Sequence, residues 1–170
     1  MATQRAYLGV GSNLGDRLGH GLAAVAALDQ LTGTRVVACS RWYETEPVGV
    51  EDHPWFVNAV VEVETSLSPC GLLAACLVIE RARGRERRVP ADPRPLDLDL
   101  LLYADRVIND PGLILPHPRL TQRAFVVIPL AEIAPRVVHP VAGLTIVALR
   151  EQLADRHAVR PYLSTGLVAG

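Results

Sequence analysis

The order in which apolar periodicity changes along the chain constrains its fold more than any other feature. Residues 5–10 form a short apolar run, strand-like and ended by glycine. Gly9, Gly11 and Gly15 punctuate a turn holding Ser12 and Asn13, and Asp16 stands where a helix would be capped. Leu18, Leu22, Val25 and Leu28 then recur at helical spacing to about Leu31. Residues 34–43 and 55–65 read as strands, separated by a polar loop over 44–54 with two prolines. Ser68 and Pro69 make an N-cap and first helical position, and Gly84 is a natural stop for a helix running to Arg83. Residues 96–103 read as a further strand, followed by a turn at Ala104 and Asp105. The order strand, helix, strand, strand, helix, strand predicts a ferredoxin-like α+β sandwich, a mixed or antiparallel sheet with helices packed on one face.

The remainder is less regular. Residues 85–95 carry three prolines and almost no apolar side chain, and 111–118 form a second proline-rich connection. Residues 123–133 are mostly apolar and read as a helix, either broken near Pro129 or beginning there. A final helix is expected over 144–153, and the tail after about residue 160 has no pattern and is expected to be peripheral. No repeat or linker interrupts the chain, so residues 1–170 are expected to form a single domain.

Charge and cysteine usage exclude several classes. The formal net charge is −1, which gives no global attraction to nucleic acid or to a membrane surface. All 17 basic residues are arginine, so clustering says more than number. Cys39, Cys70 and Cys76 show no CxxC spacing and read as small apolar core residues in a reducing compartment. No apolar run approaches the roughly 18 residues that span a bilayer, and residues 1–5 lack a signal-peptide core, so the cytoplasm is expected.

The residues that carry chemistry begin with Asp97-Leu98-Asp99. In a strand, residues two apart share a face, so both carboxylates point the same way. Hard oxygen ligands held side by side suit Mg²⁺, which keeps phosphate and water for its other positions. An Asp-x-Asp pair can equally be a solvated strand face, but this one opens one of the most apolar stretches of the chain. Beside it, Arg81, Arg83, Arg85, Arg87, Arg88 and Arg94 fall within fourteen residues. A basic loop next to a dicarboxylate is what transfer of a phosphoryl group from a nucleotide needs. Arg81 and Arg83 fit ordinary helix-surface pairs; Arg85 and Arg94, which bracket the loop, fit function. Glu80 falls on the helical stripe of Leu73 and Leu77, where a buried carboxylate needs either an arginine partner or a ligand. Trp55, Phe56, Asn58 and Phe125 offer aromatic faces and an amide to a flat heteroaromatic ligand, although by residue type alone Phe56 and Phe125 read first as core. His117, between two prolines, and Arg123 could reach a nucleotide.

Several short segments together resemble the 6-hydroxymethyl-7,8-dihydropterin pyrophosphokinase family, over nearly the whole chain to about Leu153. They are Gly11-Ser12-Asn13-Leu14-Gly15, Tyr43-Glu44-Thr45-Glu46-Pro47, Phe56-Val57-Asn58-Ala59 and Ile79-Glu80. Pro93-Arg94 with Leu96-Asp97-Leu98-Asp99 follows, then Leu115-Pro116-His117-Pro118 and Arg123-Ala124-Phe125. The resemblance implies a ferredoxin-like monomer that moves pyrophosphate from ATP to a pterin alcohol in folate synthesis, with two Mg²⁺ ions. It implies that Asp97 and Asp99 hold those ions and that Arg85 and Arg94 clamp the transferred group. Phe56 and Phe125 would sandwich the pterin, with Asn58, Thr45 and Val48 reading its edge. Glu80, Arg87, Leu100, His117 and Arg123 would line the ATP site. The chain departs from the family pattern where Ala91 and Asp92 replace a usual tryptophan and glycine. Pro95 replaces a threonine, and Leu77 a glutamine. A two-metal phosphodiester hydrolase would also use Asp97 and Asp99 but should present a broader basic surface. A non-catalytic ligand-binding domain of the same fold would not need arginines beside two carboxylates.

Overall fold

The structure, a computed structural model, describes residues 2–49, 52–84 and 93–162. Its elements run β1 (Gln4–Ser12), α1 (Arg17–Asp29), β2 (Thr34–Cys39), β3 (Tyr43–Thr45), β4 (Phe56–Thr65), α2 (Pro69–Ala82) and β5 (Asp97–Tyr103). They continue with β6 (Ile108–Asp110), β7 (Leu113–Leu115), α3 (Ala124–Ile133), α4 (Ile146–Glu151) and β8 (Val159–Pro161). The main sheet has the order β5-β1-β4-β3-β8, with β2 also on β4, and every strand pairing among the described residues is antiparallel. The strand–helix alternation read from sequence is thus the ferredoxin-like arrangement.

The two faces of β1 explain where the core ends and the site begins. Ala6, Leu8 and Val10 point to one face and are fully buried with Ala24 and Leu28 of α1 and Leu72 and Cys76 of α2. Tyr7 points to the other face, where it packs with Val60, Leu101 and Leu102 against Val127 and Leu130 of α3 and Ile146 of α4. Helices therefore cover both faces, not one as the sequence order suggested. Capping matches the local sequence: Asp16 accepts the Gly19 N–H at 3.0 Å, and the Ser68 hydroxyl accepts the Gly71 N–H at 3.0 Å.

Other expectations needed correction. The strand read over 34–43 is two strands, because Ser40 takes over the ladder between them: its N–H donates to the Val60 carbonyl at 2.9 Å and its hydroxyl accepts the Val60 N–H at 2.9 Å. The proline-rich stretch 111–118 holds the turn, at Pro111 and Gly112, and the second strand of the β6–β7 hairpin. Helix α3 neither breaks nor begins at Pro129 but runs through it. The buried stripe of α2 is Leu72, Cys76, Ile79 and Glu80, one position away from the Leu73–Leu77 line. Only Cys76 is a core cysteine, its thiol pushed up to about 12 by burial first and by Glu80 and Asp99 next; Cys39 and Cys70 are exposed. No helix among the described residues is long and apolar enough to cross a membrane.

Candidate active site

Beyond Tyr7, the α3-side face of β1 continues as Gly9 and Gly11. Gly11 lies opposite Asn58 on β4 and Asp97 on β5, and Gly9 opposite Val60 and Asp99. Directly opposite residues share a face, so Tyr43, Asn58, Gly11 and Asp97 form one row across four strands. The row has no side chain at its centre, and a cavity of about 730 Å³ opens there, within the usual range for small-molecule sites. A Cβ on Gly11 would stand 2.3 Å from Asn58 Oδ1, so glycine is required for the amide to lie where it does.

The acidic end of this trough is built on β5. Asp97 and Asp99 line the cavity, while Leu98 between them points into the core beneath. The outward N–H of Leu98 donates to Glu80 Oε2 at 2.9 Å, which fixes the strand between its two carboxylates. Two carboxylates on one strand face suit Mg²⁺ completed by phosphate and water, and among the described residues no cluster of three acidic, histidine or cysteine ligands forms a closed cage. Arg94 is held through its backbone: its N–H donates to Asn13 Oδ1 at 2.8 Å, and the Asn13 N–H donates to the Arg94 carbonyl at 3.1 Å. The guanidinium lies 6.0 Å from the Phe56 ring centre, and its Nε is buried without a hydrogen-bond acceptor. A buried charged donor of this kind is expensive to leave unmade and is suited to an anionic ligand.

His117 and Arg123 enter from the segment before α3. The His117 N–H donates to the Leu101 carbonyl at 2.9 Å, and its Nδ1 accepts the Arg119 N–H at 3.1 Å, which leaves the ring proton on Nε2. Burial, then Arg123 and Arg119, hold the imidazole below its usual range against a smaller opposing pull from Asp97, so it is neutral at pH 7. Arg123 is half-buried and stacks 5.4 Å from the Phe125 ring centre. At the aromatic end, Asn58 Nδ2 donates to Thr45 Oγ1 at 2.5 Å, and Phe56 lies opposite Thr45 in the β3–β4 register. Thr45, Val48, Phe56 and Phe125 line this end. Trp55 stands apart from the cavity lining, with Arg160 4.6 Å above its ring; Arg160 also pairs with Glu44 at 2.6 Å, and Arg17 pairs with Glu44 at 3.0 Å.

Of the residues singled out from sequence, Arg94, Asp97, Asp99, Thr45, Val48, Phe56, Asn58, Phe125, His117 and Arg123 line this one cavity. Leu100 and Glu80 do not: Leu100 belongs to the core under α1 and α2, and Glu80 is fully buried with its carboxylate on Leu98. Arg85 and Arg87 lie outside the described residues, as do Ala91 and Asp92. Sequence reasoning missed Asn13 as the anchor of Arg94, and Glu46, Arg119 and Gln122 as lining residues. For Asn13 the signal was present, in a polar residue between Gly11 and Gly15 that no helix or strand needs.

The chain is similar to several known proteins. The sequence model of 7,8-dihydro-6-hydroxymethylpterin-pyrophosphokinase (HPPK) matches residues 7–135. The 2-amino-4-hydroxy-6-hydroxymethyldihydropteridine pyrophosphokinase of Methylorubrum extorquens is 48% identical over 150 residues, covering 88% of this chain and 92% of that protein. The Bacillus subtilis protein of the same name is 47% identical over 132 residues, 78% of this chain and 79% of its own. The folic acid synthesis protein fol1 of Pneumocystis carinii is 41% identical over 92% of this chain, which spans only 21% of its length. Among solved structures, Plasmodium falciparum HPPK-DHPS A437G with STZ-DHP superposes with a TM-score of 0.72 at 16% identity, covering 88% of this chain and 45% of that one, a likeness of fold. A sequence match over most of the chain, and relatives near half-identical along most of their length, place this protein in the 7,8-dihydro-6-hydroxymethylpterin-pyrophosphokinase family.

Proposed function

We infer that this chain transfers pyrophosphate from ATP to the hydroxymethyl group of 6-hydroxymethyl-7,8-dihydropterin, releasing AMP, as a step of folate biosynthesis. The observation that carries the reading is the trough over Gly9 and Gly11, which joins an aromatic, amide-lined end to an acidic, arginine-lined end within one cavity. A flat pterin fits the first and a nucleotide polyphosphate the second, with the pterin alcohol directed along the trough at the β-phosphorus.

Phe56 and Phe125 supply stacking faces, and Asn58 with the backbone at Thr45 and Val48 reads the ring edge. The Thr45 hydroxyl holds the Asn58 amide in one orientation, so its polar atoms are fixed before the ligand arrives. Asp97 and Asp99 would hold two Mg²⁺ ions, which supply charge neutralisation at the phosphates when bound. Arg94, with its buried Nε unmatched, stabilises charge that moves between the pyrophosphoryl group and the departing AMP. Arg85 and Arg87, outside the described residues, are assigned to the same polyphosphate on the family resemblance. Neutral His117 presents Nε2–H, and Arg123 adds a cation fixed against Phe125. Leu100 and Glu80 serve the nucleotide from the core side: Glu80 through Leu98, and Leu100 through its backbone between Asp99 and Leu101. Catalysis rests on alignment and charge placement, and the chain acts as a cytoplasmic monomer, folded as a single domain.

The direct test is incubation with ATP, Mg²⁺ and 6-hydroxymethyl-7,8-dihydropterin. AMP and the pterin pyrophosphate are expected in equal amounts; ADP as the main product would refute the reading.

A further inference from the structure

The segment that follows α4 lies beyond the stretch matched by the family's sequence model, which ends at residue 135, yet it touches both walls of the aromatic end. Asp155 Oδ2 accepts the N–H of Ala124 at 2.9 Å. Ala124 is the first residue of α3 and the neighbour of Phe125. Arg123, at the N-cap position, makes no side-chain cap. The first of the helix's unpaired N–H donors therefore finds its acceptor on a residue 31 positions away.

The other carboxylate oxygen of Asp155 turns the chain toward β8, accepting the His157 N–H at 3.0 Å and contacting His157 Nδ1 at 2.6 Å. The next residue locks the opposite wall. The Glu46 N–H donates to the Ala158 carbonyl at 3.0 Å, and the Ala158 N–H donates to Glu46 Oε1 at 3.0 Å. Val159 then lies opposite Thr45. Thr45, Glu46 and Phe125 all line the cavity, so four residues of this segment tie together its two aromatic-end walls.

We propose that Asp155 is a positioning residue for the pterin half of the reaction, clipping the start of α3 to the chain at Thr45 and Glu46, where β3 ends. It sets the width of the slot that a flat ring enters between Phe125 and Phe56. This rests on the aromatic end being the pterin subsite. The role is selective for the aromatic end, because among the described residues Asp155 makes no hydrogen bond or ion pair with β5 or Arg94, which the β1–β5 ladder and Asn13 hold in place.

The test is calorimetric, with 6-hydroxymethyl-7,8-dihydropterin and the Mg²⁺ complex of α,β-methylene ATP, whose Pα–C–Pβ linkage is not cleaved. Asp155→Ala should weaken pterin binding about tenfold, roughly the worth of one hydrogen-bond acceptor to a buried donor, and leave nucleotide affinity within about twofold. In turnover it should raise KM for the pterin far more than it lowers kcat. Asp155→Asn keeps an oxygen for the Ala124 N–H and should restore most of the affinity. If Asp155→Ala does not fold, Asp155→Glu carries the same comparison, since one added methylene shifts the helix start while keeping the charge. Parallel loss of both ligands, or no recovery with asparagine, overturns the proposal. Phe125→Ala separates it from the subsite reading: pterin binding lost in that variant but intact in Asp155→Ala overturns the clip alone. Intact binding in both overturns the subsite and the clip with it.

Discussion

At the acidic end of the cavity both carboxylates come from one strand, and at the aromatic end the groups come from three elements. Asp97 and Asp99 are consecutive outward positions of β5, placed against Gly11 and Gly9 by the ladder itself. Phe56 and Thr45 are terminal residues of β4 and β3, and Phe125 is the second residue of a helix. One strand's ladder holds both carboxylates at a fixed separation, while groups on three elements keep their spacing only as well as those elements are tied together. The acidic end can therefore lose a side chain without losing shape, whereas the aromatic end depends on contacts brought from elsewhere. The two ends should fail differently when disturbed.

The largest effect is expected at the acidic end. Asp97→Ala or Asp99→Ala should abolish detectable turnover with the fold and pterin affinity retained, because removing one of two neighbouring carboxylates relieves repulsion. Either variant turning over normally at saturating Mg²⁺ while folded breaks the metal assignment. Next, Arg94→Ala should lower the single-turnover rate about a hundred- to thousandfold, roughly 3–4 kcal/mol for one transition-state donor. ATP affinity should change little; a loss of affinity that matches the loss of rate would make Arg94 a ground-state anchor instead.

At the other end, Phe125→Ala should weaken pterin binding about ten- to hundredfold, on the scale of roughly 1–3 kcal/mol per stacked base. Equal weakening of both ligands would mark the ring as mere packing. Gly11→Ala probes the join between the ends. The new methyl must displace Asn58, 2.3 Å away, so pterin affinity should drop about fivefold to tenfold, the worth of roughly one hydrogen bond, with rate at saturation less affected.

The smallest effect concerns the back of β3. Hydrogen bonds from Arg160 first, opposed by burial and reinforced by Arg17, hold the Glu44 carboxyl below the usual carboxylate range. A depressed carboxylate binds fewer protons folded than unfolded. Its stabilisation is thus complete above the ordinary value near 4.3 and is lost as pH falls through the lower folded value. Glu44→Gln should flatten the melting temperature against pH in that acidic window and change stability by less than about 1 kcal/mol at neutrality. An unchanged acid limb would show that the pair contributes nothing.

What could be read from sequence follows the same division. The pair at 97 and 99 was legible because strand alternation is local, but its neighbours Gly9 and Gly11 read as turn punctuation although β1 runs on to Ser12. The central β-α-β-β-α-β order was legible for the same reason. Glu80 was recognised as an anomaly, but its partner is a backbone N–H on another element, which no side-chain pattern announces. Helices on the second face were missed because α3 is apolar almost all round, with no stripe to say which way it faces. Strand β8 is three residues long and includes a proline, so it carries no period and becomes a strand only when β3 offers an edge. Cys39 and Cys70 were assigned inward by residue type, although strand β2 and helix α2 turn them to solvent.

The bond from Leu98 to Glu80 has a consequence for behaviour in solution. β5 is the sheet's outer strand on the acidic side, and an outer strand normally offers bare amides and carbonyls to any passing chain. Here the Leu98 amide is taken by Glu80 and the Leu101 carbonyl by the His117 amide, while β8, at the other margin, ends on Pro161. Intermolecular strand pairing thus finds no ready template at these two margins, and replacing Glu80 by a side chain that cannot accept should open the β5 margin to sheet-to-sheet aggregation.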